Sequence, residues 1–492
     1  MIVPGSANPL LLASFAGYQV PYSLRFRASN SAYVSRTSGA SPTDQKKVTY
    51  SAWMKAAPSL SSSNQIALVG FGSGNSGLVA WNISAYGGRL FIRSDGSNDI
   101  QYTGVFRDPT AWGHLVVAID TTQATASDRV KVYWNGTAMT YLSGTYPTQN
   151  SNSTLNAAST GCRLMSDQAN GTFIDGYLAE THMIDGQALT PSSFGQTDSG
   201  TGVWVPKAYA GTYGTNGFYL KFADASAATA AAIGKDSSGN GNNWTPSGIS
   251  VTSGVTFDQM TDTPTLNYCV LNPLIPSAAN ISWANLRSGT TAVRGTINVL
   301  LANTYWEVTA GGSAVTAGTI SDAAATNTTT VTANKVFGFR LTSAGTLDYI
   351  NITDAGAWTN IASGLSGQQF PYGTTAAADW NFGQRAFVGT VPSGYAAVST
   401  AASISAAVTT SGSFTGNAAA DGPFIWANGN PATLTINGNA VTFGTHADKT
   451  AGGFKLRTSS ASYNTSGTNN WTATAGKRFV QSKKPNNAQV NP

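Results

Sequence analysis

The chain has 492 residues, of which only 10% are charged and 53 are glycine; an ordinary soluble domain carries about 25% charge, so long helices with Glu, Lys and Arg on a solvent face are disfavoured against strands and turns. A formal net charge of +5 arises from 27 Lys+Arg and 22 Asp+Glu spread along the whole length, without the dense basic stripe that nucleic acid requires. No apolar run approaches the ~18 residues of a membrane span, and at about 150 residues per domain the length implies about three domains.

Lys47 to Met54 alternates, with Val48, Tyr50 and Ala52 on one face and Thr49, Ser51 and Trp53 on the other, which predicts a half-buried strand. Ile66 to Phe71, Leu78 to Ile83 and Arg89 to Arg93 follow as short apolar runs between Gly/Ser/Asn clusters. Leu115 to Ile119 and Val130 to Trp134 come next, the second ending in Asn135-Gly136, a pair suited to a tight hairpin turn. Strands recurring every 8 to 12 residues or so, with no helical pattern between them, predict a sandwich and not a parallel sheet.

Ala223 to Ile233 reads equally as a short helix or a loop. A second strand-rich block runs from 251 to 397 and includes Thr304 to Val308, Val336 to Leu341 and Leu347 to Ile350. Val398 to Ser413 is low-complexity Ala/Ser/Thr, a linker or a weak edge strand. The last block has strand signals at Pro423 to Trp426, Thr433 to Ile436 and Phe454 to Arg457, and the polar, proline-broken tail after Val480 is expected to be mobile. Cys162 and Cys269 are the two cysteines and lie far apart in sequence, so a disulfide framework is excluded and two free, buried thiols are expected.

SLRFRASNSAYVSRT (Ser23 to Thr37), AWGHLVVAID, VKVYWNGT and GTFIDGYLAETHMIDGQALTPSSFG resemble the laminin-G-like, concanavalin-type domains of many bacteriophage structural proteins. That resemblance implies that Phe173, Gly176, Leu178 and Glu180 sit on a late core strand closed by Ala188-Leu189-Thr190. DSSGNGNNWT (Asp236 to Thr245) resembles a phrase of the same phage proteins. TYWEV, GTLDYI, QFPYG and NFGQRAF resemble a SPRY-type sandwich in their order. The segment from Gly422 to Gly467 resembles a C-terminal module of phage fibres and adhesins.

Concanavalin-type sandwiches also include glycoside hydrolases, so paired acids deserve a test. A retaining hydrolase needs two carboxyl groups about 5 to 5.5 Å apart, which residues i and i+2 of one strand supply. No two Asp or Glu residues stand two positions apart in this chain, so it is read as non-enzymatic, with acids converging from different strands the remaining hydrolase route. The two glutamates, Glu180 and Glu307, each sit inside a strand pattern beside aromatic or apolar residues, as a catalytic acid or as a paired structural carboxylate. His114, His182 and His446 have no zinc-ligand spacing and are read as structural imidazoles.

Gly72, Gly74 and Gly77 spell GxGxxG, but a strand follows them instead of a helix that could hold a pyrophosphate, so a hairpin turn is expected. Asp236, Ser238, Asn240 and Gly241 open like a calcium loop, yet Ser247 stands where the twelfth-position glutamate belongs, which favours an Asn/Gly turn over a metal site. For glycan binding, an aromatic face in a loop beside Asp or Asn is the expected chemistry; Tyr86, Asp95, Asn98, Trp244 and Tyr372 are the candidates. Lys477, Arg478, Lys483 and Lys484 form a basic cluster, a solvated tail or a contact to an acidic polysaccharide or virion subunit.

The expected fold is all-β: tandem antiparallel β-sandwiches (concanavalin-like jelly rolls) with a small C-terminal β module. Residues 1–22 are read as a docking arm, 23–250 as a laminin-G-like sandwich, 251–397 as a SPRY-like sandwich and 398–492 as the C-terminal module with its tail. The resemblance implies a structural and binding component of a tailed-phage virion, a tail fibre or receptor-binding adhesin contacting host-surface polysaccharide. A capsid decoration or head fibre is the alternative, and a polysaccharide depolymerase the third reading. No cofactor or metal is expected. The arm is expected to meet other virion proteins and the chain to form a homotrimer, because exposed sandwich edges and low charge favour burial between copies. Met1 to Pro9 lack the Lys or Arg of a signal peptide, so synthesis in the host cytoplasm and release with the virion are expected.

Overall fold

The structure, a computed structural model, describes residues 17–400 apart from 57–65, 73, 83–88, 97–98, 106–107, 169–170, 199–201 and 274–280, together with six strands between 411 and 482. Tyr86, Asn98, His446, the strand signal at Phe454 to Arg457, the four basic residues Lys477, Arg478, Lys483 and Lys484, and the tail beyond Ser482 lie outside the described residues. The described elements are antiparallel β-strands with short 3-10 turns, save one parallel pairing, and they form a nearly all-β chain of tandem sandwiches.

In the first sandwich, one eight-stranded sheet takes β1 (Ser23–Phe26), β3 (Lys47–Ala56), β8 (Gly113–Asp120), β9 (Val130–Trp134), β10 (Thr137–Ala138), β13 (Gly176–Asp185), β16 (Phe218–Leu220) and β18 (Gln259–Met260). The facing sheet takes β2 (Tyr33–Thr37), β4 (Ile66–Phe71), β5 (Gly77–Asn82), β6 (Arg89–Arg93), β7 (Asp99–Val105), β11 (Tyr141–Ser143), β12 (Gly161–Leu164) and β17 (Thr245–Ser247). Asn135 and Gly136 both have positive φ, 47° and 79°, and join β9 to β10 as a two-residue hairpin. Gly72 and Gly74, also at positive φ, turn β4 into β5 with Phe71 opposite Gly77, so the GxGxxG run is a hairpin. Residues 223–233 form a turn-rich loop that buries Ile233 in the core. The first sheet includes β18, past the 250/251 boundary read from the sequence.

Strand β3 alternates as its sequence predicts, with Val48, Tyr50, Ala52 and Met54 in the inter-sheet core. Its other face is buried too, and so is every residue of β13. Two layers cover this outer face. At one end lies the second sandwich, whose apolar core includes Tyr177 and Met260 of the first sheet. At the other lies the excursion that carries β14 (Gly195–Thr197) and β15 (Trp204–Pro206), packed through Phe194, Leu189, Tyr209 and Tyr213 onto Val116 and Ile184. A strand buried on both faces is the arrangement usual in parallel sheets; here an antiparallel sheet adopts it because Thr49 and Lys55 of its polar outer row find partners in the covering layers, at Gln187 and Asp262, while Ser51 bonds His114 on the neighbouring strand β8.

The second sandwich pairs a seven-stranded sheet, β19 (Arg287–Ser288), β21 (Thr304–Ala310), β24 (Val336–Leu341), β25 (Leu347–Asn351), β26 (Thr359–Ala362), β28 (Ala378–Asn381) and β29 (Ala396–Ala397), with a four-stranded one, β20 (Val293–Arg294), β22 (Val315–Ser321), β23 (Thr326–Val331) and β27 (Gln369–Thr374). Trp306, Phe339 and Trp380 are fully buried between them, each side chain contributing on the order of 2–3 kcal/mol of hydrophobic stabilisation. Val398 is buried in the same core and Thr400 bonds to Asn267, so residues 398–400 close this sandwich and do not begin a linker. Beyond them, β30 (Ser411–Thr415), β32 (Leu434–Ile436), β33 (Asn439–Ala440) and β34 (Thr468–Ala473) form one small sheet, and β31 (Phe424–Ala427) pairs with β35 (Phe479–Ser482).

The two sandwiches meet through buried charge. Asp258 accepts from Arg25 Nε and from Arg27 Nε and Nη2 at 2.8–3.0 Å, with all three side chains at most 1% exposed. Lys55 donates to both oxygens of Asp262 and to Asn267. Between these groups the second sandwich inserts a turn in which Trp283, Ala284 and Asn285 have φ of 55°, 54° and 66°. Left-handed backbone costs a non-glycine residue about 1–2 kcal/mol, and the first sandwich offsets it. Tyr177 Oη donates to Ala284 O, Pro109 O accepts from Asn285 Nδ2, and Trp283 Nε1 donates to Ser29 Oγ. The guanidinium carbons of Arg25 and Arg27 lie 5.9 and 5.1 Å from the Trp283 ring centroid, which adds a cation–π contact to the buried ion pairs.

Candidate binding site

Two surfaces carry the chemistry that the sequence singles out. The first lies on the outer face of β13, where the pairing with β3 slips between Ala179 and His182, so that Glu180 and Thr181 oppose Ala52 alone. At the same point β13 exchanges β1 for β16 as its other neighbour. The bulge holds Glu180 at φ 45° and turns its carboxylate out of the core; backbone strain of this kind costs on the order of 1–3 kcal/mol and concentrates at functional sites. Gly176, Leu178 and Glu180 thus sit on this late, fully buried strand, as the family resemblance implies, while Phe173 lies ahead of it in an isolated bridge to Ser166.

Tyr219 Oη lies 2.7 Å from both oxygens of Glu180, and Tyr18 Oη donates to Oε2 at 2.9 Å. The two hydroxyls are 2.9 Å apart, and His182 Nε2 is 3.9 Å from Oε2. The His182 ring stacks on Tyr219 with centroids 4.2 Å apart, and Phe194, Tyr209 and Tyr213 extend the aromatic wall. Burial pushes the Glu180 carboxyl up, but His182 and the two tyrosine hydroxyls together bring it below its ordinary value. Tyr18 is pushed up to about 12, by burial first and by the Glu180 charge second. The site thus presents an ionised acceptor for hydroxyl groups, framed by rings.

Beside it, Trp204 Nε1 donates to His114 Nδ1 at 2.9 Å, so the imidazole carries its proton on Nε2, 2.8 Å from Ser51 Oγ. Burial first, and the charge of His182 second, lower His114 to about 3. It is a neutral structural imidazole.

The second surface is the outward side of the four-stranded sheet. Val293, Val315, Ala317 and Val331 face the core, so the alternate residues face out. Tyr372 stands between Arg294 on β20 and Gly318 on β22, half-buried, with Thr316, Thr328, Thr330 and Thr374 around it by register. The Arg294 guanidinium lies 3.6 Å from the Phe370 ring centroid. A Cβ at Gly318 would come within 2.1 Å of Asn327 O, so only glycine fits this position of β22 against β23. An aromatic face, hydroxyls and a cation on a rigid sheet can take a sugar ring.

The other sequence candidates fall elsewhere. Trp244 is corrected: its ring is 1% exposed, edge-on to Phe218 in the first core, and cannot offer a face to a ligand. The chain returns to the core directly after the polar Asp236 turn, a change that the surrounding Asn and Gly residues conceal. Asp95 is half-buried in the turn between β6 and β7 on the first sandwich, and Tyr372 is on the second, so the two do not share one site. Asp236 accepts from Tyr219 N, Ser238 N, Ser238 Oγ and Asn242 N, as an Asx turn does. Glu307 accepts from Tyr305 Oη, Val388 N and Gly389 N and holds that loop down. Among the described residues no group of three or more His, Cys, Asp or Glu could hold a metal ion. Sequence reading missed Tyr18, Tyr219 and Arg294, because each meets its partners across a long sequence separation.

Comparison with known proteins gives the class. The family model Laminin_G_3, the concanavalin A-like lectin/glucanases superfamily, matches residues 28–193. The chain therefore carries a laminin-G/concanavalin-like lectin domain, the part of it that the first sandwich contains. No curated protein matches the chain. Among solved structures, a heptameric SAP-like pentraxin from Limulus polyphemus is 16% identical, covering 36% of this chain and 76% of its own, with a TM-score of 0.23. The LG4-5 domains of the mouse laminin alpha1 chain are 9% identical over 78% and 88%, with a TM-score of 0.26. Domain 4 of AbnA, an extracellular arabinanase from Geobacillus stearothermophilus solved with arabinotriose, is 19% identical over 31% and 65%, with a TM-score of 0.22. Scores of this size establish no shared function. Among the described residues no helix is long and apolar enough to cross a membrane.

Proposed function

We propose that this chain is a structural and binding component of a tailed-phage virion, a tail fibre or receptor-binding adhesin at the particle surface that contacts host-surface polysaccharide. The observation that carries the binding half is the lectin-type domain at 28–193; the open face around Tyr372 and Arg294 is the contact surface on its SPRY-like neighbour. The virion half rests on the phage-type phrases in the sequence, DSSGNGNNWT among them. The chain acts as a homotrimer, meets other virion proteins through its N-terminal arm, and binds its glycan without cutting it.

Purified full-length protein should bind host cells saturably and compete with particle adsorption, and Tyr372→Ala should weaken binding at least tenfold. Binding that survives both Tyr372→Ala and Arg294→Ala would remove this face from the reading. Particles that lack the protein yet adsorb normally would remove the receptor role, and released oligosaccharide would replace binding with cleavage.

A further inference from the structure

We propose that the buried cluster of Glu180, His182 and Tyr219 is a second saccharide site, filled by Tyr18 as an internal plug that a neutral or amino sugar displaces. The inference rests on the glycan-binding reading above and adds a site on the first sandwich.

Tyr18 lies 162 positions from Glu180, and its hydroxyl meets the two groups that would receive a sugar hydroxyl, Glu180 Oε2 and Tyr219 Oη. The phenol is a six-membered ring bearing one hydroxyl, close to a pyranose in size and in what it offers an acceptor. Tyr18 packs against the small apolar cluster of Val20, Trp53 and Ala179, so apolar and aromatic surface of the kind that covers a sugar face lies beside the plug. The carboxylate stands on a bulge, the device by which strands re-aim a side chain beside functional sites.

The plug is held lightly. Val20 is buried and its backbone N–H and C=O both bond to Thr265 Oγ1, but Gly17 and Gln19 are exposed and Tyr18 is only half-buried. Loss of the Tyr18 contacts therefore leaves the strap anchored one turn of chain away. An ionised acceptor at the base selects against uronic and sialic acids by like-charge repulsion. The exposed Lys221 places its ammonium 5.0 Å from the Tyr219 ring and makes no ion pair with Glu180 among the described residues.

The test uses the full chain with Tyr18→Gly, and reads binding of p-cresol and of methyl glycosides of glucose, galactose and glucosamine by ligand-observed NMR. The variant should bind p-cresol, which refills the plug, and at least one methyl glycoside in competition with it. Wild type should bind each at least tenfold more weakly, and Tyr18→Gly with Glu180→Gln should lose the glycoside at least tenfold while retaining p-cresol. Binding of p-cresol without any glycoside would overturn the proposal by making the space Tyr18 fills a tyrosine slot only. Failure of p-cresol as well would also overturn it, because a built site stays open without its plug. Neither outcome touches the Tyr372 experiment on the wild-type chain, so the two readings fail separately.

Discussion

The phenolic hydroxyl of Tyr177 donates a 2.9 Å hydrogen bond to the carbonyl of Ala284, so a central strand of the first sandwich grips the middle of the left-handed turn of the second. Tyr177→Phe keeps the ring and removes the donor. A buried carbonyl left without its partner costs about 1–3 kcal/mol. Urea unfolding should show that loss, and an unchanged midpoint would mean that the turn is held by its other contacts alone.

Among the described residues Asp258 is the carboxylate bonded to both Arg25 and Arg27. Asp258→Asn leaves two buried guanidinium groups without their counter-ion, and breaking a buried pair in this way costs about 3–5 kcal/mol. The expected result is a large drop in thermal midpoint that added salt does not restore. A variant as stable as wild type would show that the arginines rest on Trp283 and the carbonyl groups instead.

His114 gives a pH dependence of defined sign. Its folded value is about 3 against an ordinary 6.5, so between these two the unfolded chain binds more protons and acidification destabilises the fold. The slope from this one group approaches about 1.4 kcal/mol per pH unit. His114→Gln can still accept from Trp204 and donate to Ser51 without titrating, and should flatten the stability profile between pH 6.5 and 4. Parallel profiles for the two proteins would rule out this imidazole as the cause.

Gly136 has φ 79°, and a Cβ there would approach the Trp204 ring to 2.6 Å. Gly136→Ala should cost about 2 kcal/mol or more, from left-handed backbone together with displacement of the indole that bonds His114. Chemical denaturation measures the loss; a neutral effect would mean that the β15 loop yields freely.

Both cysteines are buried and free, and burial raises both thiols, Cys269 to about 11. Neither should react with a disulfide reagent at pH 8 in the native protein, and both should react in denaturant. Rapid native labelling of either would contradict the packing described.

The strands were the most legible part of the sequence. Ile66–Phe71, Arg89–Arg93, Val130–Trp134 and Val336–Leu341 fall where alternation and turn residues put them, because those signals are local. The alternation puts Thr49, Ser51 and Trp53 on the second face of β3, and that face lies under a covering layer; no local pattern distinguishes water from a hydrogen-bonding cover. The left-handed turn at 283–285 has one asparagine and no glycine, so its conformation is set by Ser29, Pro109 and Tyr177, far away in the chain. For the same reason Glu180 stands out in the sequence, while its partners Tyr18 and Tyr219 do not.

The buried ionic seam also fixes how the chain can be cut. A fragment ending at 250 would lose Asp258, Met260 and Asp262, stranding Arg25, Arg27 and Lys55 on a sheet face bared to water. A fragment starting there would free the left-handed turn to relax. Truncation, grafting and gene shuffling should therefore carry the two sandwiches together, as one heritable block ending near residue 400.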